Sequence, residues 1–315
     1  MSKRTVLILG KSGQLGKEIE ELFSKRSFWD VISPEESDAN ISIFPKINKI
    51  IADSQPNVIV NCAAMTNVDG CENNVVKAFL TNSIGPDNIS RSILKNSQKT
   101  FLIHISTDYV YDGTIDEKLT SETHSIFERP VNIYGLSKFE GEENIHKNLV
   151  EMFPYNYLIL RTSGLYGKYG QNHFLKKMEE FVPNLSTNCT LIADQKYCPT
   201  SARQLANQIL VYAEMSADER RNIIERFGNV LNACSTTYVS PYIFLTNYFL
   251  YRNKYDLISN ISPIHFEDYF KKYSTVAKRP KYAWLKNEIA EEFPEINKIT
   301  SVDEALEEYV NSMQS

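Results

Sequence analysis

Tyr134-Gly-Leu-Ser-Lys138 sets a phenol and an ammonium four residues apart, and on a helix this spacing puts both on one face, a turn from each other. A free tyrosine has a pKa of about 10 and is a poor acid–base group near neutrality. A neighbouring Lys⁺ favours the phenolate and lowers that value. Upstream, the run Phe101–Ser106 ends in Ser106-Thr107-Asp108-Tyr109. The carboxyl ends of parallel strands are where such sheets bind ligands, so a Thr107 hydroxyl there is placed to donate to a carbonyl while Tyr134 supplies a proton. Thr107, Tyr134 and Lys138 are the candidate catalytic residues.

A second group of residues suits phosphate. The run Thr5–Leu9 leads into Gly10-Lys11-Ser12-Gly13-Gln14-Leu15-Gly16, which opens a helical stretch. A strand-to-helix turn leaves free N–H groups at the positive end of the helix, where a pyrophosphate sits. Glycine is needed where the chain turns tightly and where a side chain would block the phosphate. The implied ligand is a dinucleotide. Its nicotinamide ribose would lie within reach of Lys138, and its oxidised ring would add to the positive field on Tyr134. No acidic residue stands cleanly at the end of the second strand, Asp30–Ile32, whereas Lys11, Lys25 and Arg26 would favour a 2′-phosphate. NADPH is therefore the expected cofactor, with NADH the alternative.

These residues need elements that hold them. Strands are predicted at Thr5–Leu9, Val58–Asn61, Phe101–Ser106, Tyr157–Arg161, Thr190–Ile192 and Val230–Ala233. Several are nearly continuous apolar runs, as in strands buried on both faces. Helical stretches lie at Gln14–Lys25, Val75–Lys95, Ser137–Phe153 and Ala202–Glu214. The alternation predicts an α/β fold, a Rossmann-like doubly wound parallel sheet, with a smaller C-terminal substrate-binding lobe. Residues 1–163 are expected to form the dinucleotide-binding domain, with segments of about 190–235 returning to the sheet, and 164–315 mainly the substrate lobe. In that lobe the tyrosine-rich segment Tyr238–Tyr251 reads as core and Val302–Met313 as an amphipathic helix.

The chain has 315 residues, 42% hydrophobic and 23% charged, with a net charge of −5. That balance argues against nucleic acid as a partner. There is no apolar run of membrane-spanning length and no signal-like N-terminus. Five cysteines in no zinc or C-x-x-C pattern suggest reduced thiols in a cytoplasmic protein, and five scattered histidines give no metal site.

The motifs together resemble the extended short-chain dehydrogenase/reductases and, within them, the dTDP-4-dehydrorhamnose reductase group. The matches are Gly10–Gly16, Val60-Asn-Cys-Ala-Ala-Met-Thr66 with Val68, Asp69 and Glu72, Ser106-Thr-Asp-Tyr-Val-Tyr-Asp-Gly113, and Pro130–Lys138 with Gly141 and Glu142. They continue through Arg161-Thr-Ser163, Asp194-Gln195, Pro199–Ala202 and Arg279-Pro280. The resemblance implies hydride transfer to C4 of a nucleotide-linked 4-keto-6-deoxysugar, with Thr107, Tyr134 and Lys138 catalytic. Gly10, Lys11, Gly13, Gln14, Leu15, Gly16, Cys62, Ala63, Ala64 and Thr66 would hold the cofactor, as would Tyr134 and Lys138, and Asp108, Tyr109 and Arg279 the substrate. A homodimer is compatible with it. The chain departs from the group at Gly164, where a Trp near the sugar is usual, at His173 in place of Asn, and at Tyr197 in place of Gly. Asp108-Tyr109 where a dehydratase has Asp-Glu disfavours dehydration. A 3,5-epimerase/4-reductase would carry Cys at the Tyr109 position; Cys198 or His173 would have to stand in. The rival outside catalysis is an NADP-binding regulatory subunit, like the beta subunit of methionine adenosyltransferase.

Overall fold

The computed structural model describes residues 3–96, 99–119, 129–170, 173–184 and 188–313. Strands β1 (Arg4–Leu9), β2 (Trp29–Ile32), β3 (Val58–Asn61), β4 (Phe101–Thr107) and β5 (Tyr157–Thr162) are followed by two short ones, β6 (Cys189–Ile192) and β7 (Lys196–Tyr197). Then come β8 (Val230–Asn232), β9 (Ile261–Ile264) and β10 (Tyr282–Ala283). Six of them form one sheet in the order β2-β1-β3-β4-β5-β8, every pairing parallel.

Alternation along the strands supplies both faces of the sheet. Val6 and Ile8 of β1 pack into one apolar cluster with Leu15, Ile19 and Phe23 of helix α1 (Gln14–Ser24) and with the helix Ala202–Glu214. Leu7 and Leu9, pointing the other way, join Ile47 and Ile51 of α2 (Phe44–Ser54) in a second cluster. Two further short helices, α3 (Val68–Asn73) and α4 (Val75–Phe79), precede α5 (Gly85–Asn96) and α6 (Ile133–Leu149), and the last two complete that second layer. A parallel sheet covered on both faces is the outcome expected from the apolar runs.

Two expectations fail here. Thr190–Ile192 does not return to the sheet: β6 pairs with β9 in a separate two-stranded ribbon. The edge beside β5 is taken by β8 through Ile159↔Val230, Leu160↔Leu231 and Arg161↔Asn232. The helix expected over Val75–Lys95 is interrupted at Leu80–Ile84 by a π-helical turn. Pro86 is the reason: it has no N–H for the carbonyl of Asn82, and its ring crowds that carbonyl.

A third apolar cluster gathers Tyr166, Leu175, Phe244, Tyr248, Leu306 and Tyr309, among others, away from the sheet. Segment Tyr238–Tyr251 contributes Phe244, Leu245, Tyr248 and Phe249 to it. The helix Val302–Ser312, held by a Ser301–Glu304 capping box, adds its apolar face. Among the described residues, no helix is long and apolar enough to cross a membrane.

Candidate active site

At the carboxyl end of β1 the chain turns at Gly10 with φ +88°. A Cβ there would stand 2.6 Å from the Ala63 nitrogen. A Cβ on Gly16 would meet the Gly10 carbonyl at 2.3 Å, so α1 can start directly on the turn only with glycine at both places. At Gly13 the sole neighbour is the Gly10 carbonyl at 3.4 Å, and no side chain caps the helix. The first-turn N–H groups are left for a ligand.

A cleft of about 280 Å³ opens over this turn, lined by Gly10, Lys11, Gly13, Glu35, Ala63 and Lys77 and others. Uncapped amides, a glycine cradle and two lysines fit the phosphates of a dinucleotide. Of the expected cofactor residues, Cys62 and Ala64 also line it. Leu15 packs into the core instead, Gly16 serves the turn, and the Gln14 amide donates to the Leu165 carbonyl at 2.9 Å. Thr66 is exposed and outside the lining. Lys25 and Arg26 are also outside it: they lie at the far end of α1, paired with Glu21 and Glu214. The acidic group missing from the end of β2 is present three residues on, where Glu35 holds Lys11 at 2.7 Å. The intervening Ser33-Pro34 hid it from a search of the strand end.

The candidate catalytic residues Thr107 and Tyr134 converge where β4 ends and α6 begins. Asn132 caps α6, accepting from the Gly135 N–H at 2.8 Å, and Glu72 accepts from the Ile133 N–H at 2.9 Å. The helix therefore starts four residues earlier than expected and carries Tyr134 in its first turn. A Cβ on Gly135 would strike the Tyr109 carbonyl at 2.1 Å, so glycine lets the loop after β4 close on the helix. Tyr109 and Tyr134 meet edge to face, 5.7 Å between ring centres, and Thr107 is the hydrogen-bonding neighbour of the Tyr134 phenol.

Lys138, expected beside the phenol and a nicotinamide ribose, has its contacts in β4. Its Nζ donates to the Ile105 carbonyl at 2.6 Å and lies 3.1 Å from His104 Nε2. It is turned back into the sheet and 2% exposed, and burial pushes the Tyr134 phenol up. Burial also lowers Lys138 to about 8, against the nearby Glu142 and Cys62.

Asp108, expected on the sugar, is buried and hydrogen-bonded within the protein. Thr107 Oγ1 donates to its Oδ1 at 3.0 Å and Ser163 Oγ to its Oδ2 at 2.6 Å, and burial pushes its carboxyl up to about 6 against both bonds. Thr107 thus spends its hydroxyl proton on Asp108 and accepts from the Tyr109 N–H at 3.2 Å.

Asn82, unnoticed in the sequence, pins this machinery. Its Oδ1 accepts from Met65 N–H at 2.8 Å, and its Nδ2 donates to Met65 O at 3.0 Å and Ser137 Oγ at 3.1 Å. It joins the cofactor loop to α6 from within the π turn, a usual place for functional residues. The wholly buried Arg161–Glu142 pair, 2.6 Å apart, with Ser106 donating to Glu142, ties α6 to β4 and β5.

On the remaining side Arg279 reaches Asp69 Oδ2 and the Ala277 carbonyl, both at 3.0 Å. Two of the three departures touch: Gly164 has φ +48°, and a Cβ there would stand 2.9 Å from the Tyr197 ring. The third, His173, accepts from the Lys176 N–H as the cap of the helix Phe174–Phe181. Cys198 is buried with its Sγ on the Leu285 carbonyl.

Residues 4–315 match the family described as RmlD substrate binding domain. The chain belongs to this family. Its relatives include a dTDP-4-dehydrorhamnose reductase of Aggregatibacter actinomycetemcomitans, 34% identical over 66% of this chain and 67% of that one. A dTDP-4-keto-6-deoxy-D-glucose reductase of Streptomyces niveus is 30% identical over 67% and 69%. Among solved structures, a dTDP-4-dehydrorhamnose reductase of Clostridium acetobutylicum superposes with a TM-score of 0.81 at 30% identity, covering 99% of this chain and all of that one. One from Bacillus anthracis, in complex with NADP, gives 0.80 at 28% identity over 98% and 99%. The RmlD fold thus spans the whole chain, and the sequence likeness is concentrated in about two thirds of it.

Proposed function

We propose that this chain reduces the 4-keto group of a nucleotide-linked 4-keto-6-deoxysugar at the expense of NADPH. The observation that carries the reading is the Asp108–Thr107–Tyr134 group at the carboxyl end of β4, beside the phosphate-binding turn. The names of its relatives and the NADP in the Bacillus anthracis structure support the same chemistry. When bound, the cofactor supplies the hydride that adds to C4. Tyr134 holds the proton that O4 takes up, giving the alcohol, and the resulting phenolate is reprotonated from solvent. A tyrosine pushed up by burial is fully protonated near neutrality, the state a reduction requires of its donor. Thr107 aims the phenol, and Asp108 aims Thr107. Gly10, Lys11, Gly13, Cys62, Ala63 and Ala64 line the dinucleotide site, with Glu35 restraining Lys11. Residues 164–315 furnish most of the sugar side, Tyr197 and Arg279 included.

The test is the loss of NADPH absorbance with dTDP-linked 4-keto-6-deoxysugars, with and without a 3,5-epimerase, against UDP-, GDP- and CDP-linked counterparts. Turnover with one series fixes reaction and nucleotide together. Tight NADPH binding with no turnover on any of them overturns the reading.

A further inference from the structure

The ring of Tyr197 is held from three directions. In β7 its N–H donates to the Val239 carbonyl at 3.2 Å, and its carbonyl accepts from the Val239 N–H at 3.0 Å. The ring meets Phe244 edge to face, 6.1 Å between centres. The third support is Gly164, which has φ +48° and lets the ring lie so close that a Cβ there would stand 2.9 Å from Tyr197 Cε2. Gly164 follows directly on β5. Its neighbour Ser163 donates to Asp108, and Thr162 is in register with Thr107, so the ring is seated one residue from the Asp108–Thr107 group. The groups that face its phenol agree with this placement: Tyr166, Tyr109, Asp108 and Cys198. Among the described residues, however, none hydrogen-bonds the Tyr197 hydroxyl. Burial raises the phenol well above its ordinary value, so near neutrality the hydroxyl keeps its proton and both donates and accepts. A partly exposed residue with a fixed ring and an unengaged hydroxyl is preorganised for a polar group of a ligand.

We propose that Tyr197 is a specificity-determining residue for the sugar, its hydroxyl hydrogen-bonded to the C2 or C3 hydroxyl of the hexose. The assignment rests on the reductase reading. In a nucleotide-linked 4-keto-6-deoxyhexose C1 carries the nucleotide, C4 is the ketone, C5 closes the ring through oxygen and C6 is a methyl. Hydroxyls remain at C2 and C3 only. A site that pairs a fixed phenol with a substrate hydroxyl discriminates against an analogue lacking it, because the phenol is then left unpaired. Tyr197 thereby selects between a hexose and its further deoxygenated counterpart, while Tyr134 supplies the proton.

The test is a cycle in which the hydroxyl is removed from the enzyme, from the sugar, or from both. Wild type and Tyr197→Phe are compared, with NADPH saturating, on the 4-keto-6-deoxyhexose series that turns over and on its 2-deoxy and 3-deoxy analogues. Tyr197→Phe keeps the ring and loses no protein partner, so it is expected to melt with the wild type. On the parent sugar it is expected to lower kcat/KM about tenfold, mainly through KM. On one of the two analogues the wild type is expected to lose a similar factor, and the variant to match it within about twofold. Losses that multiply without coupling on both analogues overturn the proposal, as does a parent kcat/KM that the variant leaves unchanged. A wild type inactive on every series refutes the reductase reading and this proposal with it. An active wild type with uncoupled losses refutes the proposal alone.

Discussion

Burial keeps Tyr134 a donor by raising its phenol, and its neighbour Thr107 spends its own proton on Asp108. Replacing the phenol removes the proton but none of the dinucleotide cleft. Tyr134→Phe is expected to lower keto-sugar reduction by about 10²- to 10⁴-fold and to leave NADPH affinity, read by fluorescence titration, within a few-fold of wild type. Asp108 makes a prediction in pH. Its carboxyl is raised from 3.8 to about 6 in the fold, so folding favours the protonated form. The sign follows: stability tied to Asp108 is fully present below pH 4 and is lost as pH rises through 6, amounting to a few kcal/mol. Thermal melting of wild type and Asp108→Asn is expected to converge in acid and to diverge above pH 6 in favour of the variant. Parallel pH profiles would show that Asp108 is not held this way. The candidates Thr107, Tyr134 and Lys138 could be picked out because four-residue spacing and a strand end are local properties. The inward turn of Asp108 was not, since Ser163 comes from 55 residues away. Nor was the orientation of Lys138, whose contacts His104 and Ile105 lie in β4, 34 and 33 residues away.

At the scale of elements, the break between α4 and α5 looks like a defect and works as a joint. Pro86 frees the Asn82 carbonyl, and Gly141 lets α6 approach it so closely that a Cβ there would stand 2.2 Å away. The Asn82 side chain is then free to hold Met65 by both its N–H and its carbonyl. Asn82→Ala leaves those two groups without their partner, at a cost of about 1–3 kcal/mol, and unlinks the loop that lines the dinucleotide cleft. The expected result is a weaker NADPH Kd together with an unchanged pH profile for whatever turnover remains. Stability lost with no change in Kd would make Asn82 structural only. Strand runs and the α1 start were readable because periodicity and glycine spacing are local. That β6 leaves the sheet was not, because a short β-branched run says strand without naming its partner. The π turn needed Pro86 to be weighed against an otherwise good helical pattern.

For the whole molecule the question is how the segment after β9 meets the catalytic face. Residues 277–285 lie across the loop that follows β4: Tyr282 N–H donates to the Gly113 carbonyl at 3.1 Å, and a Cβ on Gly113 would meet Pro280 at 2.3 Å. β10 pairs with β7, whose Tyr197 ring lies against Gly164, so a ring carried on one segment is accommodated by a glycine on another. Neither departure makes sense in the sequence alone, because the two positions are neighbours only in space. Arg279 closes the same surface by reaching Asp69, 210 residues away in the chain. If that guanidinium only ties the segment down, removing either partner should do similar harm. If it grips a phosphate of the sugar nucleotide, Asp69 competes with the substrate for it. Arg279→Ala is then expected to raise KM by about tenfold or more with kcat little changed, while Asp69→Asn, which frees the guanidinium, lowers KM or leaves it alone. Salt should erode the wild-type affinity and have little effect on Arg279→Ala, since the screened attraction is already gone. Equal increases in KM for the two variants would reduce Arg279 to a structural tie and move the nucleotide grip elsewhere.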